Sequence, residues 1–255
     1  MTFGSTAFAS LLVLSVAVGL QADAIPKGFI VPACTLSPDG RYGVTVPLLF
    51  QHENSEDPKN SVIDLKTGKV VAVIKAKFTG WNRQNHGGVL PCRWSKDGSL
   101  LLWEVDGKWF SDALVLLKFK NGMLEWQIDV LREAQTEMLA RTKRAAPKRY
   151  ALAKKVNVGN GSAYPEGFTI AVSAANPIVL PLSIQAALTS NPKQIEDDPQ
   201  LGSVLAGFVD ERGNFKVGDF KLRDDAYERF EENAEQRAVC PRDDAAEEKS
   251  RRKSD

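Results

Sequence analysis

The sequence predicts a mainly β protein with one or two helices, built from antiparallel four-stranded meanders. Three observations carry this expectation. A turn motif occurs twice, as Cys34-Thr35-Leu36-Ser37-Pro38-Asp39-Gly40 and as Cys92-Arg93-Trp94-Ser95-Lys96-Asp97-Gly98. Short apolar runs bounded by Gly, Pro, Asn and Asp follow each copy, as strands joined by tight turns do. From Asp129 onward the apolar spacing switches from a period of two to the helical period.

The chain opens with an apolar run, Ala7 to Leu20, followed by Gln21-Ala22-Asp23-Ala24. These are the h-region and Ala-x-Ala cleavage site of a signal peptide spanning 1–24, although no Lys or Arg precedes them. The expected location is therefore exported, periplasmic or secreted. A spanning helix needs roughly 20 apolar residues, and no later stretch approaches that length, so no transmembrane segment is expected after cleavage. The formal net charge of +1 gives no global pull toward nucleic acid, which export also disfavours. Three cysteines are too few for a disulfide scaffold, but one bridge suits an oxidising compartment.

Residues 25–130 read as two units. In the first, Gly28 to Leu36 is a strand and Ser37-Pro38-Asp39-Gly40 a tight turn, with Pro38 presetting φ and Gly40 free to take positive φ. Arg41 to Phe50, Ser61 to Lys66 and Lys69 to Lys77 complete a four-stranded meander, its last two strands joined at Thr67-Gly68. The plan restarts with Val89 to Trp94, a turn at Ser95 to Gly98, and Ser99 to Val105. Ala113 to Phe119 and Met123 to Ile128 follow, joined at Asn121-Gly122, the strongest short hairpin signal.

Leu36-Ser37-Pro38-Asp39-Gly40-Arg41-Tyr42, with Val62-Ile63-Asp64-Leu65-Lys66-Thr67-Gly68-Lys69, resembles one blade of a WD40-like, TolB-type β-propeller. The resemblance covers residues 28–130 and implies four-stranded blades and a binding scaffold, with no catalytic residues. In the second copy Lys96 replaces the proline, and Leu117 aligns with Asp64. A propeller usually has at least four blades. Two units therefore predict an incomplete propeller or packed sheets rather than a closed propeller.

Leu131, Ala134, Met138, Leu139 and Ala145 recur at helical spacing, which predicts a helix from about Val130 to Ala146. Pro147 opens a second helical stretch to about Lys155, since proline is tolerated in a first helical turn. This 130–156 segment carries a basic face. A third β region spans 165–222. In it, the strand around Leu180 to Leu188 is expected at a sheet edge because Pro181 cannot donate to a ladder. Gly202 to Asp210 and Asn214 to Leu222 form a hairpin, with a bulge expected at Gly218. Residues 223–255 are charged and expected to be largely disordered.

Candidate site residues are few. Arg141, Arg144, Lys148 and Lys155 are expected to share one helical face able to meet protein, an anionic envelope component or the acidic tail. Trp103 and Trp109, with Trp94 and Trp126 beside Glu104 and Asp106, suggest a sugar-stacking face with carboxylates as acid and base. The competing reading is that the tryptophans fill space between sheets. Cys34 and Cys92 are the candidate disulfide, because they hold equivalent positions in the two units. His52 and His86 sit in polar loops without ligand spacing, so no metal and no cofactor are expected. The leading functional expectation is a non-enzymatic binding or scaffold module. The alternatives are a carboxylate-dependent hydrolase acting on polysaccharide or cell-envelope substrate, and a structural subunit completed by another chain.

Overall fold

Two antiparallel sheets pack against each other, and a pair of helices and a third sheet cover the outer face of the second. The computed structural model describes residues 25–47, 59–76, 92–106, 111–159, 165–190 and 201–225. The leader at 1–24, His52, His86, Trp109 and the chain beyond Asp225 lie outside the described residues.

The first unit contains β1 (Phe29–Ile30), β2 (Tyr42–Val44), β3 (Val46–Pro47), β4 (Ser61–Asp64) and β5 (Lys69–Val73). A three-stranded sheet runs in the order β2-β4-β5, and β1 pairs with β3. The strand expected over Gly28–Leu36 does not form as one piece. Pro32 brings no amide donor, and Ala33–Thr35 instead makes a 3-10 turn closed by the Thr35 amide on the Pro32 carbonyl at 2.9 Å. The Thr35 hydroxyl accepts from the Val44 amide at 3.1 Å and lies 3.3 Å from the Val44 carbonyl. One buried hydroxyl thus supplies β2 with the pairing that a fourth strand would give.

The second unit is the expected four-stranded meander, β6 (Arg93–Trp94), β7 (Leu100–Asp106), β8 (Ser111–Lys120) and β9 (Met123–Asp129), paired in that order. Asn121 and Gly122 both take positive φ, 54° and 74°, as a two-residue hairpin turn of type I′ requires. The inner strands carry unbroken apolar runs, Leu100 to Trp103 and Ala113 to Leu117, because both faces of this sheet are covered. Leu100, Leu102, Leu114 and Leu116 face the core shared with the helices and the third sheet. Leu101, Trp103, Val115 and Leu117 face the core shared with Val44, Val62 and Ile74 of the first unit. Each leucine buried on this central sheet contributes about 1.5–3 kcal/mol of transfer free energy, so the second unit is the centre of the fold.

Asp129 ends β9 and caps α1 (Val130–Ala145), its carboxylate accepting from the Arg132 amide at 3.1 Å. Val130, Leu131, Ala134 and Met138 are buried, and Thr142 occupies the next inward turn. Ala145, expected inward, is exposed. Thr142 takes its place in the core by sharing a 2.7 Å hydrogen bond with buried Ser203. The helix breaks at Ala146 (φ −138°, ψ 62°), and α2 (Pro147–Gly159) follows with proline in its first turn.

The third sheet runs β10 (Phe168–Ala174), β11 (Leu182–Ser190), β12 (Gly202–Val209) and β13 (Phe215–Leu222), in that order. The strand after Pro181 is therefore internal, contrary to the edge expectation. Pro181 precedes the first ladder residue, Leu182, so its missing amide removes no ladder bond. The bulge falls where expected: Ala206 pairs with Asp219 and Gly207 with Val217, leaving Gly218 as the extra residue. Among the described residues all strand pairs are antiparallel, and none of the four sheets closes into a barrel or propeller. No helix among the described residues is long and apolar enough to cross a membrane.

Candidate functional site

The repeated motif is a turn device that works identically in both units. Ser37 Oγ donates to Asp39 Oδ1 at 2.6 Å and accepts from the Tyr42 amide at 2.9 Å, while Asp39 Oδ1 also accepts from the Arg41 amide at 3.1 Å. In the second copy Ser95 Oγ donates to Asp97 Oδ1 at 2.6 Å and accepts from the Leu100 amide at 2.8 Å, and Asp97 Oδ1 accepts from the Ser99 amide at 3.1 Å. Gly40 and Gly98 complete the turns at φ 67° and 70°. The serine hydroxyls and the following amides hold both aspartates below the usual carboxylate range.

Strand register shows where the two units differ. Tyr42 pairs with Asp64, and the equivalent Leu100 pairs with Lys118. The counterpart of Asp64 is therefore Lys118, one residue on from the Leu117 alignment, and the counterpart of Arg41 is Ser99. In the first unit Arg41 donates twice to Asp64 Oδ2, at 2.9 and 3.0 Å, and closes that corner. In the second unit Ser99 and Lys118 stand at those two positions, and both line a cleft.

The cleft, about 580 Å³, lies between the Ser95–Ser99 turn, Lys118, the Ile178–Leu180 segment and Glu211. Buried Leu100 and Ile178 form its floor, and Val179 projects from the wall 56% exposed. Lys96, Asp97, Lys118 and Glu211 give the rim two charges of each sign. Lys118 Nζ is 3.4 Å from a Glu211 carboxylate oxygen, 3.3 Å from the Glu211 carbonyl and 3.6 Å from a Glu125 carboxylate oxygen. The β12–β13 turn is held here by Trp126, whose indole lies so close to Gly213 that a Cβ there would come within 2.8 Å of the ring. Gly213 also has φ 78°, so the turn needs glycine for both reasons. Sequence reasoning missed this cleft entirely. The only local signal was the departure of the second unit from the first at Ser99 and Lys118.

The sequence-predicted residues are dispersed. Trp103 has 0% exposure in the core between the first two sheets, so it offers no face to a sugar. Trp109 lies outside the described residues. Glu104 is 5% exposed, accepts from Ser111 Oγ at 2.6 Å and lies 3.7 Å from Arg93. Arg93 in turn donates to the Ala174 carbonyl at 2.9 Å, so these charges join the second unit to β10. Trp94 stacks with Tyr42 and Phe119 at centroid distances of 6.4 and 6.0 Å.

Arg141 and Arg144 lie on α1 and Lys148 and Lys155 on α2, with the break at Ala146 between them. Arg141 pairs with Glu137 at 3.0 Å, while Arg144, Lys148 and Lys155 are exposed. Carboxylates from elsewhere reach the same run, Glu166 at Lys154 and Asp224 at Arg149, each at 2.9 Å. The Cys34–Cys92 disulfide is not formed: Cys92 is a free thiol and Cys34 is bonded elsewhere. Repeat equivalence does bring the two positions together, since the Cys92 amide donates to the Cys34 carbonyl at 2.9 Å. Among the described residues no group of three His, Cys, Asp or Glu side chains could hold a metal ion. No protein-family model matches the chain, and neither does any curated protein.

Proposed function

We propose that the chain is an exported, non-enzymatic interaction module that takes a partner polypeptide into the cleft between its second unit and its third sheet. The observation that carries this reading is the cleft itself: an apolar floor, an exposed valine and a rim of balanced charge. Extended polypeptide matches such a surface, since its side chains can fill the floor while its flanking charges meet both signs on the rim. The balanced rim gives an anionic polymer no preference. The blade-like resemblance of residues 28–130 supports the same reading through the meander β6–β9 and the twin turns, and the apolar leader supports export.

A carboxylate-dependent hydrolase is the second reading, and its best support is that Asp97 and Glu211 both line the cleft. Asp97 Oδ1 is occupied by Ser95 and Ser99, and its depressed pKa suits a structural acceptor rather than a general acid. The test is affinity capture from cell envelope with the mature protein. Val179→Glu should abolish enrichment of the partner, whereas Arg144, Lys148 and Lys155 changed together to Gln should leave it intact. Equal enrichment by the Val179 variant would sink the cleft reading, and loss only with the helix variant would move the site to α1 and α2.

A further inference from the structure

We propose that the exposed surface of α1 and α2 between Lys143 and Lys155 binds an anionic lipid surface, as a second contact separate from the cleft. Residues 141–155 carry seven Lys and Arg and no Asp or Glu. The carboxylates that reach them from elsewhere are each matched, Glu137 by Arg141, Asp224 by Arg149 and Glu166 by Lys154. Lys143 also lies near enough to Glu166 to help hold its carboxyl below the usual range. Among the described residues Arg144, Lys148 and Lys155 are exposed and pair with no carboxylate, so the surface keeps an uncompensated positive charge.

The docking of α2 fixes which side faces out. Tyr150 and Ala153 are buried, and the Tyr150 ring stacks on Phe168 at a centroid distance of 4.7 Å. Lys148, Ala151, Leu152 and Lys155 are exposed, at the i, i+3, i+4 and i+7 spacing of a single helical face. Leu152 is 43% exposed in the middle of that face. From 143 to 155, every exposed residue that is not a cation is apolar: Ala145, Pro147, Ala151 and Leu152. A surface that serves only to meet water intersperses both signs of charge. Cations around an apolar residue suit a lipid interface, where the leucine enters the acyl boundary and the lysine stems extend to headgroup phosphates. An acidic polypeptide would use the charges but leave Leu152 in water.

The test is co-sedimentation of the mature protein with phosphatidylcholine–phosphatidylglycerol vesicles, against vesicles of phosphatidylcholine alone. Binding is expected to the anionic vesicles only, and to weaken as salt screens the charges. Each surface cation contributes about fivefold to partitioning, so Arg144, Lys148 and Lys155 changed together to Gln should lower it about a hundredfold. Leu152→Gln keeps a good helix former and should lower it about three- to tenfold, whereas Lys148→Arg with Lys155→Arg should leave it unchanged. Val179→Glu, in the cleft, should also leave it unchanged. No sedimentation, equal sedimentation with neutral vesicles, full binding by the Gln variant, or loss with Val179→Glu would each overturn the inference. So would tighter retention on immobilised polyglutamate than on the vesicles, unaffected by Leu152→Gln, which marks an acidic polypeptide as the ligand.

Discussion

Removing one hydroxyl from each repeated turn tests whether Ser-x-Asp-Gly is architectural. Ser95→Ala deletes the 2.6 Å bond to the Asp97 carboxylate and the acceptor for the Leu100 amide at 2.8 Å. Leu100 is 5% exposed, so its N–H is left without a partner, which costs about 1–3 kcal/mol. The bond to the carboxylate is worth about 1.5–3 kcal/mol when shielded, and less here because water re-solvates exposed Asp97. Together they predict a loss of about 2–4 kcal/mol, or a fall in Tm of about 5–15 °C for a domain of this size. Ser37→Ala breaks the equivalent pair of bonds and should cost less, because Tyr42 is only half-buried and water can reach its amide more readily. The assay is urea unfolding followed by tryptophan fluorescence, repeated down the acid range.

The acid dependence has a definite sign. The Ser37 and Ser95 hydroxyls and the Arg41 and Ser99 amides hold Asp39 and Asp97 below the usual carboxylate range in the folded protein, so the unfolded chain takes up protons first as pH falls. Their stabilisation is complete above about pH 4 and is lost as pH drops through the folded values. Each alanine variant should flatten that acid-side loss. A Ser95→Ala protein within about 0.5 kcal/mol of the parent, the range of ordinary surface changes, would refute the account. So would an unchanged acid slope.

Other perturbations probe the packing. Trp103→Ala empties a site with 0% exposure and should cost about 3–5 kcal/mol, measured by denaturant unfolding. Gln127 bridges to β5 by donating to the Val73 carbonyl at 3.1 Å and accepting from the Lys75 amide at 2.9 Å. Gln127→Leu should cost about 1–2 kcal/mol and speed hydrogen exchange at the Lys75 amide. Gly213→Ala meets both the positive φ and the Trp126 ring. It should cost about 1–3 kcal/mol and shift Trp126 emission to longer wavelength as the turn lifts away.

What was legible in the sequence was local chemistry. Ser37, Asp39, Ser95 and Asp97 bond their own backbone within a few residues, so their role depends on nothing distant. The Asn121-Gly122 hairpin, the helix start after Asp129 and the bulge at Gly218 are legible for the same reason. Contacts between distant segments were not. Thr35 stands in for a strand only because Val44 comes back beside it. Pro181 looked like an edge residue because its place just before the ladder depends on β10 and β12 flanking β11. Lys118 was misaligned because β8 runs on past it to Lys120, whereas the first unit begins its turn directly after Asp64. The cleft combines a turn at 95–99, the Ile178–Leu180 segment and Glu211, and no pattern within any one of them announces the others. Trp103 shows the converse: its residue type suggested a ligand face, and only the sheet packed over it decides that it is core.

The central claim is that partner protein enters the cleft beside Val179. A photo-crosslinking amino acid placed at Val179, and separately at exposed Val70 on β5 of the first unit, tests it directly, because both positions are open and only one faces the cleft. In cell envelope, the account predicts a discrete crosslinked product from position 179 and none from position 70. No product from 179, or the same product from both positions, would contradict it.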